Sequence, residues 1–237
     1  MILAPGNAEI GGEFLKNSSN SNPSPDTKKS KMSLVEKLIE KGYLKSPRII
    51  SAFRKIKRAD FLPEKLKNLA ELNEPLPIGF GQTISQPLTV AFMLELLQPE
   101  KGDKILDVGS GSGWTTSLLA EIVGSKGKVY AIEIIKELKK LGEKNARKYN
   151  FVNKGIAEFI CGDGSKGLLK KSPFDKILVS ASAEEIPAEL KEQLKIGGRL
   201  VIPIRDSIFL IVRKTNKFEE KEFFGFSFVP LVKKDRY

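Results

Sequence analysis

The chain has 237 residues, of which 41% are hydrophobic and 29% are charged, a balance typical of a folded globular protein. No apolar run approaches the roughly 20 residues that span a bilayer. The first residues also lack the basic and apolar regions of a secretory signal, so we expect a cytoplasmic protein without a membrane partner. The absence of histidine and the presence of one cysteine exclude an internal disulfide and argue against a zinc site or other metal centre.

The formal net charge is +11, from 40 basic and 29 acidic residues. Such a charge is compatible with a nucleic-acid partner. The basic residues are, however, spread along the chain. Their densest stretch, 136–148, alternates with acidic and leucine residues, as the outer face of an amphipathic helix does. The sequence therefore favours a solvated lysine-rich surface over a nucleic-acid partner.

Residues 1–31 contain a low-complexity run rich in Asn, Ser, Pro and Lys. Such a run buries too little apolar surface to offset its chain entropy, so we expect a disordered tail. The sequence does not show whether this tail belongs to the natural chain or whether Met32 is the natural start. Residues 32–237 are predicted to form one domain of three parts, at 32–100, 101–204 and 205–237.

Three helices are predicted in the first part. A first helix, capped by Ser33, ends at Gly42. A second begins at Pro47, because proline favours the first helical position. After a loop-rich stretch that extends to Gly81, a third helix is predicted over 87–97.

From residue 104 onward, short β-like runs alternate with helical runs, which predicts a parallel sheet with helices on both faces. The predicted strands are 104–108, 128–133, 157–161, 174–180 and 199–203, and the predicted helices are 114–123, 136–149 and 187–194. Two later apolar runs, 207–213 and 222–231, are predicted to pair antiparallel. The fold class is therefore α/β and Rossmann-like, with a seven-stranded, mostly parallel sheet and an N-terminal helical extension.

The strongest local signal is a glycine-rich run that follows an apolar strand and opens a helix. Its alternating glycines let the backbone approach a ligand, and the helix N-terminus offers free N–H groups. A dinucleotide loop would need a glycine where this chain has Trp114, so we expect a cofactor other than NAD. The candidate cofactor-binding residues in this run are Asp107, Gly109, Ser110, Gly111, Ser112 and Gly113.

Acidic residues follow the next two strands. Glu133 ends the second strand, where a carboxylate can accept hydrogen bonds from ribose hydroxyls; the alternative is a charge favoured by the dipole of the following helix. Asp163 and Gly164 follow the third strand, where they could bind the ligand or form a tight turn. Asp175 is expected to serve as a capping residue or to form an ion pair rather than to bind a ligand. Cys161 is expected to be a small core residue.

The Gly-x-Gly-x-Gly spacing, with Asp107 before it, resembles the first motif of class I methyltransferases, which bind S-adenosylmethionine. This resemblance implies that Asp163 lies beside the adenine. The motif of many amino methyltransferases of nucleic acids is absent after the fourth strand, at 179–183, and Cys161 follows Ile160 rather than the proline usual in cytosine-C5 enzymes. A carboxylate acceptor is already ionised at neutral pH and needs no base, which a histidine-free site permits but does not select.

A second resemblance selects among the acceptors. The run 77–87, Pro-Ile-Gly-Phe-Gly-Gln-Thr-Ile-Ser-Gln-Pro, is similar to the signature of protein-L-isoaspartate O-methyltransferases of bacterial and archaeal type. Further matches lie at 59–63, 180–181, 186–194, 197–203 and 228–231, so the resemblance covers roughly 33–232.

The resemblance implies methylation of the α-carboxylate of L-isoaspartyl residues in damaged proteins and peptides, whose ester then collapses to a succinimide. Ser85 matches the active-site serine of the family. Gln82, Thr83 and Ile84 match the segment that closes over cofactor and substrate.

The chain departs from the family at three places. Leu88 stands where an aromatic residue or histidine is common, Trp-Thr-Thr at 114–116 replaces a frequent Tyr-Gln-Thr, and 205–207 lacks a frequent glutamine. These departures bear on substrate affinity more than on the reaction type.

Two other functions stay open at this point. A tRNA methyltransferase of the same fold would use the +11 charge, and a non-catalytic module would bind the cofactor without turnover. Steep salt dependence of RNA binding would favour the first. We expect a monomer, and the sequence gives neither the preferred peptide context nor activity on D-aspartyl residues.

Overall fold

A seven-stranded sheet lies at the centre of the computed structural model, which describes residues 32–231. Its strands are β3 (Lys104–Val108), β4 (Lys128–Glu133), β5 (Ala157–Cys161), β6 (Phe174–Val179), β7 (Leu194–Ile204), β8 (Ser207–Arg213) and β9 (Phe218–Phe224). They are arranged in the order β5-β4-β3-β6-β7-β8-β9. Neighbours from β5 to β7 are parallel, and β8 and β9 are antiparallel to their neighbours. The predicted α/β, Rossmann-like class with a seven-stranded sheet is confirmed.

Helices cover both faces of this sheet, as predicted. They are α1 (Leu34–Glu40), α2 (Pro47–Lys55), α3 (Pro87–Leu97), α4 (Trp114–Val123), α5 (Lys136–Arg147) and α6 (Ala188–Glu192). Successive strand residues point to opposite faces. In β3, Ile105 therefore packs in the cluster with α1–α5, whereas Leu106 and Val108 pack in the cluster with Leu190 of α6. Burial on both faces explains why the sequence of a central strand such as β3 is a nearly continuous apolar run.

One stretch predicted as loop forms a separate two-stranded antiparallel hairpin, β1 (Leu76–Gly79) and β2 (Gln82–Ile84). Its turn has three consecutive residues with positive φ, and the middle one is Phe80, at 54°. Non-glycine residues rarely adopt this conformation. A sequence pattern that assigns positive φ to glycine alone therefore does not predict this hairpin.

The predicted antiparallel pairing of the last two strands is confirmed, but the predicted bounds of the last one, 222–231, were wrong, because β9 spans Phe218–Phe224. A tight turn, closed by the bond from Lys214 N to Lys217 O at 2.8 Å, sets the pairing of Arg213 with Phe218. The resulting edge strand is mostly charged and exposed, as edge strands that resist further pairing often are. The apolar residues after it instead return to the carboxyl end of the parallel strands, where Leu231 N donates to Ser182 O at 2.7 Å.

Cys161 was expected in the core, but it is exposed. It is the last residue of β5, an edge strand, so no neighbouring strand covers it on that side. The predicted tail at 1–31 lies outside the described residues, and the division of 32–237 into three parts stays a prediction. Within residues 32–231, the helices are too short and too polar to cross a membrane.

The N-terminus of α4 meets α5 at an unusually close contact. Gly113, the N-cap residue of α4, has a φ of +83°, and a Cβ there would lie 2.7 Å from the carbonyl oxygen of Gly142 in α5. Only glycine avoids both the strained backbone and the clash. The third glycine of the predicted cofactor loop therefore packs one helix against another.

We expect Gly113→Ala to lower the free energy of unfolding by about 3 kcal/mol or more, the sum of left-handed strain and overpacking. Gly155 is the matched control, because its φ is +68° while a Cβ there would meet no atom within 4 Å. Gly155→Ala should therefore cost only about 1 kcal/mol of strain. Urea denaturation measures both variants, and equal losses would contradict the helix contact.

Candidate active site

A cleft with about 780 Å³ of empty space, partly open to solvent, lies at the carboxyl ends of β3, β4 and β6. Parallel sheets form such a crevice where the chain leaves neighbouring strands in opposite directions. Its walls come from the hairpin strand β2 with the residue after it, the glycine loop after β3, and the end of β4 with the start of α5. The connections after β5 and β6 and the returning C-terminal segment complete them. The predicted site residues that line it are Gln82, Thr83, Ile84, Ser85, Gly109, Ser110, Gly111, Ser112, Glu133 and Gly164.

The glycine loop forms the floor of the cleft. Gly109 and Gly111 have φ values of +79° and +50°, so the backbone turns sharply after β3. The N–H groups of Gly109 and Ser110 both donate to Ile132 O, at 2.9 and 3.2 Å, which holds the loop against β4. The Ser110 hydroxyl is buried without a hydrogen-bond partner among the described residues, so it is available to a ligand.

Glu133 lies beside this loop, at the end of β4, and lines the cleft. Its side chain is buried and accepts from Gly111 N at 2.9 Å and from Ile135 N at 3.0 Å. The second bond satisfies the N-cap residue of α5, so the predicted alternative, a charge at the helix start, is part of the arrangement. Each carboxylate oxygen keeps a further lone pair, and the residue faces the cleft.

Asp107 lies beneath the loop and does not line the cleft. Its carboxylate is fully buried, and Oδ2 accepts from Thr116 Oγ1 at 2.6 Å, whereas Oδ1 has no partner among the described residues. Burial raises the pKa of Asp107 to about 7; the Thr116 bond lowers this pKa, and the charge of Glu133 raises it. An acidic group of this kind contributes negative potential beneath the loop when it ionises.

The region after β5 has a mainly structural geometry. Asp163 caps a short 3₁₀ helix, Gly164–Lys166, by accepting from the backbone N–H and hydroxyl of Ser165 at 2.9 and 2.7 Å. Gly164 lines the cleft, and a Cβ there would lie 2.4 Å from Val108 Cγ1. The tight-turn alternative for Asp163 is therefore present, and its position beside an adenine stays a prediction. Asp175 pairs with Lys195 at 2.7 Å, as expected.

Ser85 also lines the cleft and directly follows β2. A serine hydroxyl just before a helix can also cap the helix N-terminus. The N-cap residue of α3 is Gln86, and the Leu88 N–H in its first turn donates to Asn73 Oδ1 at 2.9 Å. Asn73 therefore serves the helix start, and the half-buried Ser85 hydroxyl remains available to a ligand.

Sequence reasoning missed several residues of the cleft wall. The C-terminal segment 229–231 lines the cleft, although its apolar pattern predicted a strand. Ser180 and Ala181 lie at the end of β6 beside Gly109. Trp114, singled out only because it is not glycine, also lines the cleft.

Comparisons with known proteins show which family this chain belongs to. The family model described as Protein-L-isoaspartate(D-aspartate) O-methyltransferase (PCMT) matches residues 28–236. A protein-L-isoaspartate O-methyltransferase of Ignicoccus hospitalis is 39% identical over 86% of this chain and 98% of its own. A second relative, protein-L-isoaspartate O-methyltransferase 2 of Archaeoglobus fulgidus, is 46% identical over 84% of this chain and 90% of its own.

Solved structures agree with these relatives. A Plasmodium falciparum protein, described as a protein-L-isoaspartate O-methyltransferase in complex with S-adenosyl-L-homocysteine, superposes with a TM-score of 0.76 at 26% identity. The match covers 85% of this chain and 97% of that protein. The predicted resemblance is confirmed, since the family model spans nearly the whole chain: the protein belongs to the protein-L-isoaspartate(D-aspartate) O-methyltransferase family.

Proposed function

We propose that this protein transfers a methyl group from S-adenosylmethionine to the α-carboxylate of L-isoaspartyl residues in damaged proteins and peptides. The ester so formed collapses to a succinimide, which starts repair. The observation that carries the proposal is that Ser85 and Glu133 line one cleft in a chain of this family. Ser85 stands on the side proposed for the acceptor, and Glu133 on the side proposed for the ribose.

The residues of the cleft fit S-adenosylmethionine, which supplies an electrophilic methyl group on a sulfonium ion when bound. Gly109 and Gly111 leave the loop backbone open to close approach. The orphaned Ser110 hydroxyl offers a polar contact, and the free lone pairs of Glu133 suit vicinal ribose hydroxyls. Within residues 32–231, no group of three potential metal ligands comes together.

On the acceptor side of the cleft, the reaction requires that the carboxylate be positioned and that water be excluded, and it requires no base. A carboxylate is ionised at neutral pH, and esterification of that anion releases no proton. A histidine-free chain can therefore perform the reaction. The proposed role of the Ser85 hydroxyl is to donate to one carboxylate oxygen and so orient the other. Ile84, which is almost completely buried beside it, and the apolar segment 229–231 exclude water from this end of the cleft.

Discrimination between isoaspartate and aspartate rests on shape. In isoaspartate the backbone continues through the side chain, which leaves a free α-carboxylate on a short stem. A donor fixed on the β2–α3 connection can reach that carboxylate, whereas the aspartyl carboxylate stands one methylene further from the backbone.

We expect Glu133→Ala to weaken S-adenosylmethionine binding by about 1–3 kcal/mol, the scale for leaving buried donors unpaired. The variant removes the proposed ribose acceptor and also frees the N–H groups of Gly111 and Ile135. Glu137→Ala, which removes an exposed acid in the first turn of α5, is the matched control and should bind normally. Calorimetry measures both, with NAD as a ligand that should not bind; unchanged affinity in Glu133→Ala would remove Glu133 from the site.

The function is tested with two synthetic peptides that differ only in one L-isoaspartyl or L-aspartyl residue. We expect methyl transfer to the isoaspartyl peptide and essentially none to its partner, because only the former presents the α-carboxylate to the Ser85 side of the cleft. Bulk tRNA is the third acceptor in the same assay. Equal labelling of both peptides, or labelling of tRNA alone, would contradict the proposal.

Ser85→Ala is the matched variant in this assay. Its turnover at saturating peptide should fall about 10²-fold, the usual effect of losing one positioned donor, while its cofactor affinity and melting temperature stay near those of the wild type. Ser33→Ala provides the contrast, because Ser33 caps α1 through Glu36 N at 3.3 Å. That variant should lose about 1 kcal/mol of stability and keep its turnover.

A further inference from the structure

A buried arginine lies behind the Ser85 segment. Arg58 is only 6% exposed, and its guanidinium donates to four backbone carbonyls rather than to a carboxylate. Nη1 donates to Ala70 O at 3.2 Å and Leu72 O at 3.0 Å, and Nη2 donates to Glu74 O at 2.7 Å and Ser85 O at 3.2 Å. These bonds tie the turn at 70–74 to the residue proposed to orient the acceptor.

The same side chain reaches the wall of the cofactor cleft. The guanidinium carbon of Arg58 lies 5.6 Å from the ring centre of Trp114, within the range of a cation–π contact. Trp114 is buried, is the first residue of α4 and lines the cleft. Arg58 thus contacts both the acceptor side and the glycine-loop side of the site without lining it.

This arrangement has a cost in stability, because it removes a charged group from water. Burial lowers the pKa of Arg58 to about 10, partly offset by the charge of Glu71, so the group stays charged at neutral pH and is desolvated. Its Nε is buried without a partner among the described residues. The guanidinium, a rigid fork of donors, holds four backbone carbonyls at fixed positions.

The connection between β2 and α3 is a segment whose backbone position such contacts can fix. Ser85 lies outside both elements, so neither a strand ladder nor a helix sets its backbone position. Asn73, which serves the start of α3, lies within the turn that Arg58 binds. Arg58 therefore contacts the Ser85 carbonyl directly and also binds the turn whose Asn73 serves the start of α3.

We propose that Arg58 is a positioning residue, which fixes the Ser85 backbone relative to Trp114 and so directs the Ser85 hydroxyl into the cleft. This inference rests on the proposed function. It predicts that the contribution of Arg58 to turnover passes through Ser85 and is lost when the hydroxyl is removed.

The test is a double-mutant cycle with Arg58→Lys and Ser85→Ala, measured as turnover on the isoaspartyl peptide. Lysine keeps the charge but cannot bind four carbonyls, so Arg58→Lys should lower kcat about 10- to 100-fold with S-adenosylmethionine affinity changed less than about threefold. In the Ser85→Ala background, Arg58→Lys should lower kcat by less than about twofold. Multiplicative losses across the cycle would show a purely structural role and overturn the proposal.

Arg213→Lys is the matched control. Arg213, which is half-buried, donates to the carbonyls of Glu192 and Leu194 and lies over the Phe218 ring at 5.9 Å, a similar set of partners away from the cleft. This variant should keep the wild-type kcat. A comparable loss in kcat would mean that any such arginine affects turnover through general stability.

If Arg58→Lys fails to fold, the fluorescence of Trp114, the only tryptophan in the chain, tests the same coupling in a protein that keeps Arg58. In wild-type protein saturated with S-adenosylhomocysteine, the isoaspartyl peptide should shift the tryptophan emission, and Ser85→Ala should abolish that shift at saturating peptide. An undiminished shift in Ser85→Ala would contradict the coupling. A wild-type protein that binds the peptide but transfers no methyl group would instead refute the proposed function.

Discussion

The rest of the site depends on the Glu133 carboxylate, because this group joins three of its parts. It ends β4, accepts from Gly111 in the loop after β3, and accepts from Ile135 at the start of α5. The sheet topology brings these groups together, because the parallel strands β3 and β4 end side by side. Asp107 lies beneath the same loop, and burial together with the charge of Glu133 raises its pKa. Two acids in a region of low dielectric favour a ligand that carries positive charge, as the proposed sulfonium cofactor does.

Much of this arrangement could be predicted from sequence because local pattern and tertiary environment agree. Strands β3, β4 and β6 are largely buried on both faces, so their composition alone indicates them. The glycine loop is recognisable because positive φ at Gly109 and Gly111 and the tight contact at Gly113 each demand the same residue type. Even so, the pattern does not separate the two roles: Gly109 and Gly111 open the cleft, whereas Gly113 packs α4 on α5.

The features that sequence reasoning missed depend on contacts distant along the chain. Phe80 adopts positive φ without being glycine, so the hairpin that carries Gln82 to Ser85 has no simple signature. The apolar segment 229–231 lines the cleft, although its composition would also suit a strand. In a lysine-rich chain, the sequence pattern would place Arg58 at the surface. No residue nearby in sequence indicates that Arg58 donates to the carbonyl of Ser85, 27 positions away.

The most direct test follows the methyl group to its final atom. An isoaspartyl peptide is incubated with the protein and isotopically labelled S-adenosylmethionine, and the labelled residue is located by tandem mass spectrometry before and after mild base. We expect a label confined to the isoaspartyl residue that base releases as methanol, as expected of a carboxyl ester. Succinimide and then aspartyl peptide should appear as the label is lost. A base-stable methyl group, or a label on any other residue of the peptide, would contradict carboxyl methylation of isoaspartate as the activity of this cleft.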